Sequence, residues 1–282
     1  MALSVLNNIS DLVAQNQLNI TQQNLQNTLT QLSSGSRINS GADDAAGLAI
    51  ANGLQANVTA LTQSVANAND GVGALQVADG ALGQVTTLLN RAVTLGTEAS
   101  TGTVSSSQRG ALDAEYQQIL DEVNNIGANT TFNGSTIFAT TGSTTTSIFL
   151  SDSSSAGTTT IGVVVSGLSA SALGLNGTSM TGTPGAGGAT DPEATLTLVN
   201  AAIATVASDR GTIGAGVNRL GAASNVMNNE VQNLTSAEDQ ITAADIPTVV
   251  ANLSKYSILE QTGISALAQA NTAQQQVLNL LH

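Results

Sequence analysis

Two adjacent carboxylates, Asp43 and Asp44, are the residues of this 282-residue chain that could most readily do chemistry. They follow the serine- and glycine-rich stretch SSGSRINSGA and precede an alanine-rich run. One interpretation is a secreted enzyme with a carboxylate-bound metal. Hard cations, however, take more oxygen ligands from alternating loop positions, and adjacent side chains diverge in direction. The pattern favours a helix start, in which Ser40 or Asp43 caps the helix and both acids lie near its positive end.

Other groups that catalyse reactions or bind metals are scarce in this sequence. Cysteine is absent, and the one histidine, His282, is the last residue. These counts exclude disulfides and thiolate metal sites, and they leave little for a mechanism that needs a buried imidazole. The glycine-rich stretch GTPGAGG lacks the lysine of a phosphate-binding loop. We therefore predict a protein that is not an enzyme and that uses no metal and no cofactor.

The chain is strongly acidic. Six basic and nineteen acidic residues give a formal net charge of -13, and the basic residues are too scattered to neutralise a phosphate backbone. No apolar run approaches the ~20 residues of a membrane span, and the N-terminus lacks the features of a cleaved signal peptide. We predict no nucleic-acid partner and no membrane insertion, and we expect any export to use a route that does not read such a signal.

The elements that would position these residues are mostly helices. Between residues 193 and 241, apolar residues recur every seven positions, which predicts one helix of roughly 45 residues. Asp191 and Pro192 would start this helix. Arg210 stands in an interrupted second series, where it would either pair with an acid or extend toward solvent. The seven-residue series comprises Val199, Val206, Ile213, Leu220, Met227, Leu234 and Ile241.

Two further helices are predicted from similar series. One runs from Leu54 to Leu89, and a shorter one runs from Leu112 to Ile126. Because only 2% of the residues are aromatic, these helices would bury thin seams of aliphatic side chains instead of a ring-filled centre. We predict a mainly α fold, an elongated antiparallel helical bundle or coiled coil with a small β-hairpin region.

Residues 128–178 differ in character, since threonine, serine and glycine dominate and several stretches carry β-branched residues. Asn133-Gly134 is a hairpin turn signal. These features predict two or three short strands between residues 130 and 178, followed by a flexible link over residues 179–192. A disordered low-complexity segment is the alternative.

The two chain ends carry weaker apolar patterns. Two offset stripes run along the N-terminal segment, and Asn271 and Gln274 interrupt the register of the C-terminal one. An isolated helix pair with so polar a seam would be only marginally stable. We therefore expect both ends to be poorly ordered in a free monomer.

Six stretches follow one another along the chain: SSGSRINSGADDAAGLAIA, NANDGVGALQVADGAL, TTFNGSTIF, LGLNG, NRLGAASNVMNNEVQNLTSAEDQI and ILEQTGISALAQANTAQQQVLNLL. Together they resemble the bacterial flagellins, over about residues 1–178 and 190–282. Larger members insert outer domains where this chain has only residues 179–191, so it is similar to a minimal form. The resemblance implies a structural subunit that self-assembles into the bacterial flagellar filament for swimming motility. A hook-filament junction protein is the alternative.

The resemblance also implies how the chain is divided, because the family pairs its terminal segments in an inner tube and places its longer helices in an outer layer. Arg37, Asp43 and Asp44 would lie at the corner where the outer helix starts, and the break before Pro247 would form the matching corner. The expected divisions are an inner-tube helix at 1–40 that pairs with 246–282, outer-layer helices at 41–127, the hairpin region at 128–178, a short linker at 179–192, a long outer-layer helix at 193–241 and the C-terminal inner-tube helix at 242–282.

Assembly would be coupled to the folding of the terminal segments, because ordering them costs entropy that burial against neighbouring copies offsets. Their apolar residues would then have little effect in the monomer and a decisive one in the polymer. The residues expected to drive self-assembly are Leu6, Ile9, Val13, Ile20, Leu25, Leu32, Ile264, Leu267, Leu278 and Leu281.

Partners other than further copies of the chain also come from the resemblance. They are an export chaperone and the secretion apparatus, hook-associated and cap proteins, and an innate receptor of the toll-like class. The protein would be secreted and extracellular, in the bacterial flagellum. Arg91, Leu95 and Glu115 match residues of the family's receptor-binding patch, but Thr94 stands where agonists usually carry glutamate. We therefore expect weak recognition by that receptor.

Overall fold

A computed structural model describes residues 8–151 and 159–280 of the chain. Within those residues it has five helices and four short strands, which confirms the predicted mainly helical class with a small β region. The helices are α1 (Ile9–Ser34), α2 (Ala45–Ala99), α3 (Ser106–Asn129), α4 (Pro192–Thr242) and α5 (Ile246–Leu280), and the strands are β1 (Thr131–Phe132), β2 (Ser135–Thr136), β3 (Ser143–Phe149) and β4 (Thr160–Ser166).

The chain divides into two compact units. The smaller unit combines the chain up to Ala56 with the chain from Asn233 onward, and the larger unit spans Asn57–Gln232. The smaller unit therefore holds α1, α5 and one end each of α2 and α4. The larger unit holds the remainder of those two long helices, together with α3 and the four strands.

Aliphatic side chains form the core of the larger unit. The seven-residue series of α4 supplies Val199, Val206 and Leu220, and α2 supplies Leu75 and Leu89; none of these side chains is more than 1% exposed. Fully burying one such side chain contributes roughly 1.5–3 kcal/mol. The same periodicity extends α4 to 51 residues, slightly longer than the series predicts, because the helix continues through Thr242 before the next corner.

Two antiparallel hairpins make up the β region. Asn133 and Gly134 form the two-residue turn between β1 and β2, and both adopt positive φ angles of 49° and 77°, as the Asn-Gly signal predicts. The second hairpin pairs β3 with β4, so that Ile148 lies opposite Ile161. The structure thus has four strands where the sequence predicts two or three.

The second hairpin packs against glycines of the two long helices. A Cβ atom added at Gly71 of α2 would lie 2.7 Å from Cγ1 of Ile148, and one added at Gly216 of α4 would lie 2.8 Å from Cγ2 of Val163. A helical glycine costs about 1 kcal/mol relative to alanine. Here the absent side chains let the buried face of the hairpin approach both helix backbones.

Residues 179–191 correct the expectation of a flexible link. The amide of Ser179 donates to the carbonyl of Ala189 at 2.8 Å, and the amide of Gly182 donates to the carbonyl of Thr190 at 2.8 Å. Met180 between them is fully buried. The sequence reads as a linker because of its glycines, but several of these take positive φ angles that close a hydrogen-bonded turn.

Asp191 holds this turn together and starts α4. Its carboxylate accepts hydrogen bonds from the amides of Gly185, Gly187 and Glu193 at 3.2, 2.7 and 3.0 Å, and the residue is only 3% exposed. The bond from the Gly187 amide is the main reason why the pKa of Asp191 lies below its usual range. The predicted capping role of this residue is present, and the same carboxylate also orders the preceding loop.

Arg210 pairs with an acid within the larger unit. Its Nε lies 2.8 Å from Oδ1 of Asp79, and a second guanidinium nitrogen lies 3.3 Å from Oδ2. The hydrogen bond from Arg210 holds the pKa of Asp79 below its usual range. The sequence leaves open whether this arginine pairs or extends toward solvent, and the structure shows a half-exposed pair that links α4 to α2.

The carboxylate of Asp191 should make stability depend on pH. Its pKa is lowered by folding, so its contribution is complete above the unfolded value of about 3.9 and is lost as the pH falls through the folded value. The substitution Asp191→Asn should lower Tm at pH 7, and the difference from the wild type should narrow as the pH falls below about 4. Thermal unfolding followed by circular dichroism at several pH values measures this. Asp121→Asn, on an exposed site of α3, is the control, and an equal effect of both substitutions would contradict the assignment.

Candidate functional site

The terminal helices α1 and α5 lie against each other within the smaller unit. Leu18 packs on Gly263, where an added Cβ would lie 3.3 Å from Cδ1 of Leu18. The side-chain Nε2 of Gln22 donates to Oε1 of Glu260 at 3.5 Å. The buried residues of α1 are two threonines, not aliphatic residues. The seam between the two helices therefore combines buried threonines with leucines that are only partly buried.

Few apolar side chains are buried in this unit. Among its described residues, the buried hydrophobic ones are Ile38, Ala51 and Val249. In contrast, Leu12 of α1 and Ile258 of α5 are 68% and 62% exposed. The smaller unit thus carries large aliphatic side chains on its surface and has almost no core of its own, a combination typical of a surface that another molecule covers.

The residues predicted to drive self-assembly fall into three groups. Ile9, Val13, Ile20 and Ile264 are exposed, whereas Leu25, Leu32 and Leu267 are half-buried. Leu6 and Leu281, together with the side chain of Leu278, lie outside the described residues. The predicted set leaves out further apolar residues that are exposed in the structure; they are Leu12, Leu29, Ile246, Val250, Ile258 and Leu259.

A corner connects α1 to α2. Gly35 ends α1 in the left-handed conformation, with φ of 69°, and its amide donates to the carbonyl of Gln31. The carboxylate of Asp43 accepts hydrogen bonds from the backbone amides of Asn39 and Ser40, at 3.0 and 2.9 Å. The bond from the Asn39 amide is the main reason why the pKa of Asp43 is lowered. Asp43 thereby folds the loop back on itself.

Asp44 is the residue that caps α2. Its Oδ1 accepts the amide of Gly47 at 2.9 Å, and the helix begins at the next residue, Ala45. This corrects the prediction that Ser40 or Asp43 would cap the helix, because the carboxylate of Asp43 is already engaged by the loop. The two adjacent acids therefore have separate structural roles, and they do not converge on a common ligand.

A second corner connects α4 to α5. The helix α4 ends at Thr242 and α5 begins at Ile246. Pro247 lies in the first turn of α5, where backbone N–H groups have no acceptor within the helix, so the proline removes no hydrogen bond. The hydroxyl of Thr248 donates to Oδ2 of Asp245 at 2.6 Å. A short loop, Ala243–Asp245, thus separates the two helices.

The two corners are hydrogen-bonded to each other. The amide of Arg37 donates to the carbonyl of Thr242 at 2.7 Å, and its guanidinium donates to the carbonyl of Ile241 at 2.7 Å. The amide of Ala244 returns a bond to the carbonyl of Gly35 at 3.0 Å. We call this set of contacts between residues 35–37 and 241–244 the corner clasp. Sequence reasoning placed Arg37 at a corner but could not identify these carbonyls as its partners.

The residues matched to a receptor patch lie in the larger unit. Nε of Arg91 is 2.7 Å from Oε1 of Glu115, and both side chains are about half exposed. Leu95 is fully buried, so it supports the surface from beneath. The hydroxyl of the exposed Thr94 donates to the carbonyl of Asn90 at 3.2 Å. This surface therefore presents the exposed Arg91–Glu115 ion pair, with the neutral Thr94 near it in the same helix.

Residues 8–151 and 159–280 contain no group of three acidic, histidine or cysteine side chains placed to hold a metal ion. In the same part of the chain, none of the helices combines the length and the apolarity needed to cross a membrane.

Comparison with known proteins decides the family. A profile of the bacterial flagellin N-terminal helical region matches residues 5–143, and a profile of the bacterial flagellin C-terminal helical region matches residues 196–281. A flagellar filament 30.7 kDa core protein of Treponema maltophilum is 30% identical over 286 residues, which cover 97% of this chain and 98% of that protein. The chain belongs to the bacterial flagellin family.

Other flagellins differ in how much of their own length is matched. A flagellin of Shigella flexneri is 37% identical over 216 residues, which cover 77% of this chain and 38% of that protein. A crystal structure of Bacillus cereus flagellin aligns with a TM-score of 0.48 and 27% identity, covering 61% of this chain and 94% of that chain. The matched parts span about a third of the three longer curated flagellins, 32% to 38%, and the two matching profiles describe the N- and C-terminal regions of the family.

The corner of this flagellin should tolerate no side chain at Gly47. An added Cβ would collide with the Asp44 carboxylate and would lie 2.8 Å from Cδ1 of the buried Ile38. Gly47→Ala should destabilise the smaller unit by about 1–3 kcal/mol. Gly53→Ala, in the same helix with open space around it, should stabilise it by about 0.5–1 kcal/mol. Urea unfolding followed by circular dichroism measures both changes, and equal midpoints for the two variants would refute this account of the corner.

Proposed function

We propose that the chain is a structural subunit of a bacterial flagellar filament, and that copies assemble through the smaller unit. The observation that carries this proposal is the imbalance of that unit, in which large aliphatic side chains of α1 and α5 remain exposed while few apolar ones are buried. The membership of the flagellin family and the near full-length similarity to a flagellar filament core protein support it.

Burial against neighbouring copies supplies the missing stability. Removing apolar surface from water contributes about 25 cal/mol per Å², and α1 and α5 each carry several aliphatic side chains that a neighbour could cover. Ordering a terminal helix costs conformational entropy of about 1–2 kcal/mol per residue. A helix pair whose leucines are only partly buried offsets little of this cost alone, so the terminal segments become fully ordered only when copies assemble.

Charge opposes association of the copies. Each chain carries a formal charge of -13, and like-charged subunits repel one another unless salt screens them, with a Debye length of about 8 Å at physiological ionic strength. The same charge keeps unassembled subunits soluble. Assembly therefore requires that the free energy gained by burying aliphatic side chains of the terminal helices exceed the repulsion between subunits.

The proposed setting of such a subunit is an extracellular filament. Reaching that place would require a secretion apparatus and an export chaperone that covers exposed apolar residues of α5 before assembly. Hook-associated and cap proteins would meet the two ends of the polymer. Nothing in the structure or in the similar proteins favours the alternative of a hook-filament junction protein.

Removing residues 265–282 should leave a soluble helical monomer that forms no filaments, because about half of α5 is lost. Electron microscopy of purified protein with short filament seeds, combined with circular dichroism, measures assembly and helix content together. The truncated chain should also lose affinity for the export chaperone. Filaments from the truncated chain would refute the proposed role of α5.

A point substitution gives a sharper version of the same experiment. Ile258→Ser should raise the critical concentration for seeded elongation about tenfold or more, since losing one buried aliphatic side chain costs roughly 1.5–3 kcal/mol. Val226→Ser is the matched control, because Val226 is 64% exposed and Ile258 is 62% exposed, but Val226 lies in the larger unit. Equal effects of the two substitutions would show that assembly does not depend specifically on the terminal helices.

Recognition by the toll-like receptor should be weak, because the exposed Arg91–Glu115 pair adjoins a neutral Thr94. Thr94→Glu should strengthen a reporter-cell response by restoring a charged contact, whereas Thr97→Glu on the same helix should not. A wild-type response as strong as that to a standard flagellin would contradict this prediction.

A further inference from the structure

We propose that Arg37 is a positioning residue of the assembly surface: by clamping the end of α4, it fixes the corner from which α5 starts beside α1. This inference rests on the proposed function, since it concerns how the assembling helices are held. Arg37 itself is exposed and is not part of any core. Its contacts are made to backbone atoms at the far end of the sequence.

Arg37 donates hydrogen bonds to carbonyls that have no donor within their own helix. The last four carbonyls of a helix have no intrahelical donor, and its C-terminus carries a partial negative charge. At the end of the 51-residue α4, the guanidinium of Arg37 donates to the carbonyl of Ile241 and the Arg37 amide donates to that of Thr242, each at 2.7 Å. A single residue thus supplies a cation and two donors to this terminus.

Residues next to Arg37 add further hydrogen bonds to the corner clasp, and they pair with residues 242–244. The Ser36 hydroxyl lies 3.0 Å from the carbonyl of Thr242, and Ser36 and Ala243 form an antiparallel bridge. The amide of Ala244 donates to Gly35 at 3.0 Å. Because α1 ends just before Gly35 and α5 begins two residues after Ala244, these bonds fix where both terminal helices leave the corner.

The charges around the clasp make this arginine hard to replace. Residues 37–44 and 238–245 contain five acids, Asp43, Asp44, Glu238, Asp239 and Asp245, and Arg37 is their only base. Removing the guanidinium would leave the negative end of α4 among carboxylates with no cation to offset them. Lysine would keep the charge but lose the planar donor geometry, and glutamine would keep a donor but lose the charge.

The test compares Arg37→Gln and Arg37→Lys with Arg219→Gln, which changes an exposed arginine of α4 in the larger unit. Critical concentrations are measured by seeded elongation, and amide hydrogen exchange is measured in the filaments that form. Arg37→Gln should raise the critical concentration about tenfold, as expected for loss of a hydrogen bond from a charged donor. Arg37→Lys should have a smaller effect, and Arg219→Gln should change it less than about twofold.

Hydrogen exchange at Ala244 reports the clasp directly. Its amide donates to Gly35 and does not touch the substituted side chain, so faster exchange in the Arg37 variants would show that the corner has opened. If Arg37→Gln forms no filaments but keeps the wild-type melting of the larger unit, the proposal is supported, and Arg37→Lys then provides filaments for the exchange experiment.

The role of Arg37 would be overturned by a wild-type critical concentration for Arg37→Gln, or by unchanged exchange at Ala244 in the Arg37 variants. An equal loss in Arg219→Gln would also overturn it, because the effect would then be one of net charge. Failure of the wild-type chain to elongate seeds is a different outcome, and it would refute the proposed function.

Discussion

The unequal burial of apolar side chains is the constraint on which the rest of this structure depends. The larger unit buries many aliphatic side chains in its core, whereas the smaller unit leaves most large aliphatic side chains of α1 and α5 exposed or half-exposed. Hydrophobic stabilisation scales with the apolar area removed from water, so the two units cannot be equally stable alone. The larger unit has an apolar core of its own, and under the proposed function the smaller unit would gain its missing stability through contact with further copies.

The core of the larger unit is built from small and aliphatic side chains. With few aromatic residues available, the long helices pack through leucine, valine and alanine, and glycines such as Gly71 and Gly216 let the β3–β4 hairpin lie directly against them. Close packing of this kind leaves little freedom for rearrangement.

Polar groups determine where each helix starts and stops. Asp44 caps α2, and Asp191 caps α4 and orders the preceding loop. Arg37 donates hydrogen bonds to the carbonyls at the other end of α4. Each of these side chains satisfies backbone groups that would otherwise lack partners. In a chain with six basic and nineteen acidic residues, carboxylates at helix starts are plentiful, whereas a cation at a helix end is scarce, which gives Arg37 its importance.

The sequence alone determined the helices, their apolar faces and the family resemblance, because heptad spacing, capping acids and turn signals act over a few residues and need no tertiary context. It also located Arg37, Asp43 and Asp44 at a corner. Only the tertiary structure decided that Asp44 and not Asp43 caps α2, that residues 179–191 fold around Asp191, and that Arg37 binds carbonyls some two hundred positions away. These outcomes depend on which backbone groups are left without partners when distant segments meet, and no local pattern records that.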